Sequence, residues 1–518
     1  MPSQRRFFRP RDVETGRHGA FRQRMDGEYG FRLDQGGRAP LESYNAITGE
    51  LQAIIAECLR DGMRLRARGS LWSLSPVAVT DGRLIDTKAL RQAFSLPAAL
   101  VDPRYSAAGE GDKLRFVECG NSIDALNRYL FGDRLSLKAS GSNNGQTLAG
   151  ALSTGTHGAA FNVGAIPEMV VGLHLVVGPD RHVYLERGSQ PVTMPGFAQG
   201  LGAELVRDDT LFDAALVSFG AFGVIHGIMI EARPLFILNA LRFNHPYDAA
   251  LKKAITTLDL SGLRLPPPER PEPRDNPYHF EVFYNPNEGT PPDEAIVLVM
   301  FEEPWDESYQ PLEWDASDAG PGASGLELMG TLVELIPEPL HPAVVGILNG
   351  QVRDQYAPYA RRGIIRDLFR GERVQGPTLG CGIGLELSRA QDALEIAFKA
   401  YREFGVLMPI ILSHRFVKGT RALLGFTRFT PTAVLEIDAI NTPNTRKYLQ
   451  RVWADLDAAG IPFTLHWGKF NAHLTAARVR RMYPAVDQWI ASRKALLQDD
   501  RVARLFANPF IARLQLAS

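Results

Sequence analysis

From Ala139 to Pro167 the chain carries no Asp, Glu, Lys or Arg, and Gly, Ser, Thr and Asn alternate there with Leu148, Ala149, Ala151 and Leu152. So polar a segment cannot cross a bilayer. A flexible linker would explain the glycines but not the interleaved apolar residues. Small residues let backbone lie close against a large flat ligand, while hydroxyl, amide and N–H groups meet its polar edge. The candidate binding residues on this stretch are Ser140, Gly141, Gln146 and Thr147, then Gly150, Ala151 and Thr154, then Gly155, Thr156, His157 and Gly158.

The rest of the chain narrows the choice. Its 518 residues suggest about three units of roughly 150 residues. Lys plus Arg number 57 and Asp plus Glu 58, so net charge gives no long-range attraction to nucleic acid or to an anionic lipid surface, a local patch on one face aside. Small-molecule substrates are the default. The start, Met1 to Arg11, supplies no apolar signal-peptide core, and a cytoplasmic address with no membrane span is expected. Cys58, Cys119 and Cys381 are too scattered for a zinc or redox pair, and without an HExxH no metal site is expected.

An α+β fold follows from the patterning. Residues 1–40 are polar, Arg-rich and Gly-rich, and read as a surface extension. Thr48 to Arg60 places Leu51, Ile54, Ile55 and Cys58 at helical spacing after a threonine able to cap it. Strands are expected at 63–67, 84–86, 114–118 and 224–232, with a helix at 122–131 and a hairpin across LHLVVGPDRHVYL, 173–185. Pro234 closes this unit. Beyond it, strands at 279–284, 295–301, 406–412 and 432–440 alternate with helices at 390–404 and 445–459, as in a sheet covered by helices on one face. The stretch 326–369 is apolar and helix-compatible, inside an insertion of about 313–375.

No Walker A motif occurs, and GxGxxG is missing from a βαβ setting, which disfavours a Rossmann dehydrogenase. Two further glycine stretches remain. Arg66-Ala67-Arg68-Gly69-Ser70-Leu71-Trp72-Ser73 follows a strand and could gather amides around an anion, or could be a plain turn. Phe219-Gly220-Ala221-Phe222-Gly223-Val224-Ile225 leads glycines into a buried strand.

In this order and spacing, RARGSLWS, DGRLIDTKAL, QTLAGALSTGTHG and FGAFGVIHGIMIEARP resemble the FAD-binding domain of the vanillyl-alcohol-oxidase superfamily, also named after p-cresol methylhydroxylase (PCMH). His466-Trp467-Gly468-Lys469 is similar to the HWGK of its sugar-alcohol and aldonolactone oxidase branch. The resemblance implies a two-subdomain PCMH-type FAD-binding domain over 41–234, a cap or substrate domain with an antiparallel sheet over 235–460, and a segment, 461–518, that returns to the flavin. It implies FAD as cofactor, with Arg68, Gly69, Ser70, Leu71, Trp72 and Ser73 on the pyrophosphate side and Gly223 and Val224 near the adenine.

Two departures from that pattern matter. Trp72 stands where many members carry the histidine bonded to the flavin, and indole offers only a donor N–H, so FAD is expected without a covalent link and with a lowered reduction potential. Ser413-His414-Arg415 keeps the arginine of the family's Glu-x-Arg pair but not its carboxylate, which argues against polyol or aldonolactone specificity, and the apolar insertion 326–369 points toward a bulkier, less polar substrate.

The expected chemistry is hydride transfer from an alcohol-type C–H to flavin N5, with molecular oxygen or another electron acceptor completing the cycle. Lys469 is the candidate cation beside the flavin or substrate oxygen, though alone it reads as a surface lysine. Arg415 would orient a substrate oxygen. His466 could be catalytic or a core histidine; His279 and Glu281, two apart on a strand, could be bases or lie on the sheet's outer face. The alternative is a flavoprotein-fold binding or scaffold protein without redox activity. Oligomeric state is left open.

Overall fold

A computed structural model describes residues 6–32, 39–142, 144–267, 274–312, 356–369, 378–405 and 407–517, with 343, 346, 350, 353 and 354. It is α+β, as expected, and built on three main sheets.

The first sheet has the order Arg6–Arg9, Gly27–Phe31, Arg83–Asp86, Leu65–Arg68. Half of it comes from residues 1–40, so these are not a surface extension. Every residue of Gly27–Phe31 is buried. The missing Cβ of Gly30 makes room for the Phe7 ring on the neighbouring strand, which composition alone conceals.

Helix Pro40–Arg60 buries Tyr44, Ile47, Leu51, Ile54, Ile55 and Cys58 along one stripe. It begins eight residues before Thr48, with a proline at its first position, and Thr48 sits inside it, hydrogen-bonded to His226 Nδ1 at 3.0 Å.

The second sheet runs Glu204–Arg207, His182–Glu186, Val170–Val176, Val224–Glu231, Leu114–Glu118, Ala93–Ser95. It contains the expected hairpin, with Leu173 opposite Leu185.

The third sheet has eight strands, every neighbouring pair antiparallel: Tyr359–Gly363, Phe236–Pro246, Glu294–Pro304, Pro277–Tyr284, Ile410–Val417, Thr432–Ile440, Thr378–Glu386 and Phe463–Leu465. Strand alternation divides its side chains between two faces. Tyr284 meets Phe398 of helix Ala390–Phe404, which packs beside Pro443–Ala458. The opposite face, with Glu281, Phe283, Arg415 and Asp438, turns to the first two sheets and lines a cavity.

The strand expected at 406–412 lies instead at Ile410–Val417. Most of 326–369 falls outside the described residues. Its end, read as helix-compatible, forms strand Tyr359–Gly363 and then a four-residue helix, Ile365–Leu368. After Leu465 the chain passes through His466 to Lys469, and its last helices pack back on the first half. Among the described residues no helix is long and apolar enough to cross a membrane.

Candidate active site

The cavity, about 690 Å³, lies between the first two sheets and the inner face of the third. That volume falls within the roughly 300–1,000 Å³ of small-molecule and cofactor sites.

One wall is made by two loops that need each other. Strand Leu65–Arg68 ends at Gly69, where any Cβ would collide with Thr147 Oγ1. Thr147 caps helix Leu148–Thr154, accepting from Gly150 N. The helix buries Leu148, Ala151 and Leu152 against the core while Ala149, Gly150 and Ser153 reach the cavity. Gly223, at φ +105, passes so close to Val176 O that a Cβ there would stand 2.6 Å from it. Gln146 Oε1 and Trp72 Nε1 are buried without a partner, and both residues line the cavity. Uncharged backbone with unsatisfied polar atoms facing an open slot fits a flavin dinucleotide.

The other wall is charged. Glu281, Arg415, Glu436, Asp438 and Lys469 converge from three strands and the HWGK segment. Arg415 Nε bonds Glu281 Oε1 at 2.6 Å, and its Nη1 lies 4.0 Å from Glu436 Oε1. Lys469 Nζ bonds Glu436 Oε2 and lies 3.5 Å from Asp438 Oδ1. His157 Nε2 approaches Glu436 Oε1 at 3.2 Å, tying the glycine-rich wall to the sheet.

Burial pushes the Glu281 carboxyl up, but Arg415 and His279 outweigh it and hold the group below its ordinary value. Glu436 is also depressed, burial being overcome by Lys469, His157 and Arg415. Asp438 goes the other way, raised by burial despite Lys469. Lys469 is raised because Asp438 and Glu436 outweigh burial. It is therefore a charged ammonium at the cavity, not a surface lysine. Burial and neighbouring His157 and Lys469 push His466 well below its usual value, so its imidazole is neutral. Gly468 N donates to His466 Nδ1 at 2.9 Å, which leaves the proton on Nε2.

Of the expected residues, Lys469, His466, Arg415 and Glu281 reach the cavity, as do Gly69 to Ser73, Gly141, Gln146, Thr147, Gly150, Ala151, Thr154, Thr156, His157 and Gly223. Five do not line it. Ser140 turns its hydroxyl to Asn144, Gly155 ends the helix at φ +72, and Gly158 backs onto Ser140 O. Val224 sits in the core behind Gly223, and His279 stands 3.4 Å from Glu281 Oε2. The pair His279 and Glu281 is on the inner, not the outer, face. Arg68 borders the cavity, but Glu28, Glu14 and Asp86 surround its guanidinium, leaving no unpaired charge for a phosphate.

Glu436 and Asp438 were missed. Two acids spaced i, i+2 in the apolar strand VLEIDAI mark one face, and that alternation was the available signal. His18, also at the cavity, had no sequence signal.

Comparison with known proteins agrees. Residues 46–183 match the family described as FAD binding domain. L-gulono-1,4-lactone dehydrogenase of Mycobacterium tuberculosis is 26% identical over 90% of this chain and 93% of its own length. D-arabinono-1,4-lactone oxidase of Debaryomyces hansenii is 24% identical over 42% of this chain and 36% of its own. Cholesterol oxidase from Brevibacterium sterolicum superposes with a TM-score of 0.67 over 98% of this chain and 97% of that one at 12% identity, a likeness of fold. The chain is thus an FAD-binding oxidoreductase, with a fold like that of this oxidase. Its similar relatives are named as aldonolactone oxidases and dehydrogenases, and the FAD binding domain over residues 46–183 makes FAD its cofactor.

Proposed function

We propose that the protein oxidises an alcohol-type CH–OH carbon, with FAD held without a covalent bond. When bound, FAD supplies the hydride acceptor. Gly69 to Ser73, the helix after Thr147 and Gly223 would hold it, and the third sheet would present the substrate.

Arg415 and Lys469 are the groups that orient the substrate oxygen and stabilise charge developing on it. Glu281 and Glu436 keep those cations in place. Asp438, with its raised pKa and its place at the cavity, is the proposed acceptor of the hydroxyl proton. His466, with its proton on Nε2, donates a hydrogen bond and is no base in this arrangement. The observation that carries this reading is the meeting of two cations, Arg415 and Lys469, and the Asp438 carboxylate opposite a wall of small uncharged residues.

Away from the charges the cavity is lined by Phe283, Tyr356, Leu379, Ile410 and Ile411. This favours a substrate with one oxygenated end and an apolar body. Molecular oxygen or another acceptor would reoxidise the flavin. Anaerobic mixing with a panel running from aldonolactones and polyols to aromatic and sterol-like alcohols tests the proposal by bleaching of flavin absorbance. Peroxide release in air identifies an oxidase; a panel that bleaches nothing rejects the reading.

A further inference from the structure

The N-terminal residues do more than extend a sheet. Strands Val13–Thr15 and Arg22–Arg24 form a hairpin, with Val13 opposite Arg24. Its turn is closed by Gly16 N bonding Phe21 O at 3.1 Å and Gly19 N bonding Gly16 O at 2.9 Å. The turn is docked on the loop that follows strand Leu65–Arg68. Arg17 N donates to Leu71 O at 3.2 Å, and the Arg17 guanidinium lies 4.3 Å from the Trp72 ring centre. Phe21 and Leu71 pack together on Met25, Val79 and Leu84.

This places His18 at the cavity. It is 5% exposed, its ring lies 5.6 Å from that of Trp72, and its Nδ1 is buried with no hydrogen-bond partner. A buried polar nitrogen left unmade costs about 1–3 kcal/mol, so a partner is expected when the site is filled. Burial and neighbouring Arg17 lower its pKa to about 4, which leaves a neutral imidazole with one donor and one acceptor.

We infer that the Gly16–Gly19 turn is the outer wall of the cofactor site and that His18 is a cofactor-binding residue, hydrogen-bonding FAD beside Trp72. The role falls to a hairpin far in sequence from the glycine-rich loops. It also gives the N-terminal strands a function: they hold one imidazole against the loop that would seat the dinucleotide.

The test is titration of apoprotein with FAD, read by flavin fluorescence, alongside the melting temperature of the same apoprotein. His18→Phe keeps a ring against Trp72 but removes both nitrogens. It is expected to weaken FAD binding about five- to ten-fold, the size of one lost hydrogen bond, without lowering the apoprotein's melting temperature, since the unpaired buried nitrogen is removed with it. His18→Gln restores a donor and an acceptor and recovers most of the affinity. The inference is overturned if His18→Phe binds FAD like the wild type, if His18→Gln is no better than His18→Phe, or if apoprotein stability falls in parallel with affinity. The last result would make His18 a packing residue.

Discussion

Ser413 and Glu436 face each other across neighbouring strands. The sequence pattern leads one to seek a carboxylate at the first position; the structure puts it at the second, where it reaches Lys469, His157 and Arg415. Lys469→Met is expected to retain FAD and slow flavin reduction about 10²- to 10³-fold, as when one preorganised donor to a developing oxyanion is removed. Stopped-flow bleaching with a reducing substrate measures it, and unchanged kinetics would take Lys469 out of the chemistry. Glu436→Gln breaks a buried pair from the other side. It should cost about 3 kcal/mol in urea unfolding, far more than an exposed ion pair would. At Trp72 the indole offers no nucleophilic nitrogen, so acid precipitation of the holoprotein is expected to leave the yellow colour in the supernatant.

At the scale of elements, legibility followed the strength of local periodicity. Helix Ala390–Phe404 and strand Thr432–Ile440 lie at the expected residues because their apolar repeats are uninterrupted. The four strands before residue 32 were not legible. They are rich in Arg and Gly, and their burial depends on partners distant in sequence: Arg68 neutralised by Glu14 and Glu28, and the Phe7 ring over Gly30. The stretch from Ser140 to Gly158 was legible from backbone needs, and the loops at 66–73 and 219–225 only through the family resemblance, whereas the charged wall depends on register between strands, which a linear pattern does not contain. Gly30→Leu tests the element. A side chain there meets the Phe7 ring, so the first sheet should lose about 1–3 kcal/mol in denaturant unfolding. FAD affinity should fall with it, because the same segment anchors the hairpin that bears His18. A variant as stable as the wild type would show that these strands are dispensable to the fold.

Across the whole molecule, the two halves are joined around the cavity. Leu74 N bonds Gly468 O at 2.7 Å, Ser75 Oγ bonds Trp467 O at 2.6 Å, and Phe280 N bonds Ala159 O at 3.1 Å. His157 and Glu436 add an electrostatic link across the same junction. Stability should therefore depend on acid in a definite direction. Glu281 and Glu436 have folded pKa values below the ordinary 4.5, so the stabilisation they give is fully present above that pH and is lost as pH falls through their folded values. Asp438, raised above 3.8, has the opposite sign: its protonation relieves an unfavourable charge beside Glu436 at the cavity, which blunts the loss without reversing it, since two depressed groups oppose one raised group. The holoprotein is thus expected to melt at progressively lower temperature below about pH 4.5, with flavin fluorescence rising as the junction opens. Glu436→Gln, having already lost one of the two acid-sensitive carboxylates, should begin from a lower melting temperature and show a shallower acid slope. A slope equal to that of the wild type would place the acid-sensitive contacts elsewhere in the molecule and remove the His157–Glu436 junction from the forces that hold the halves together.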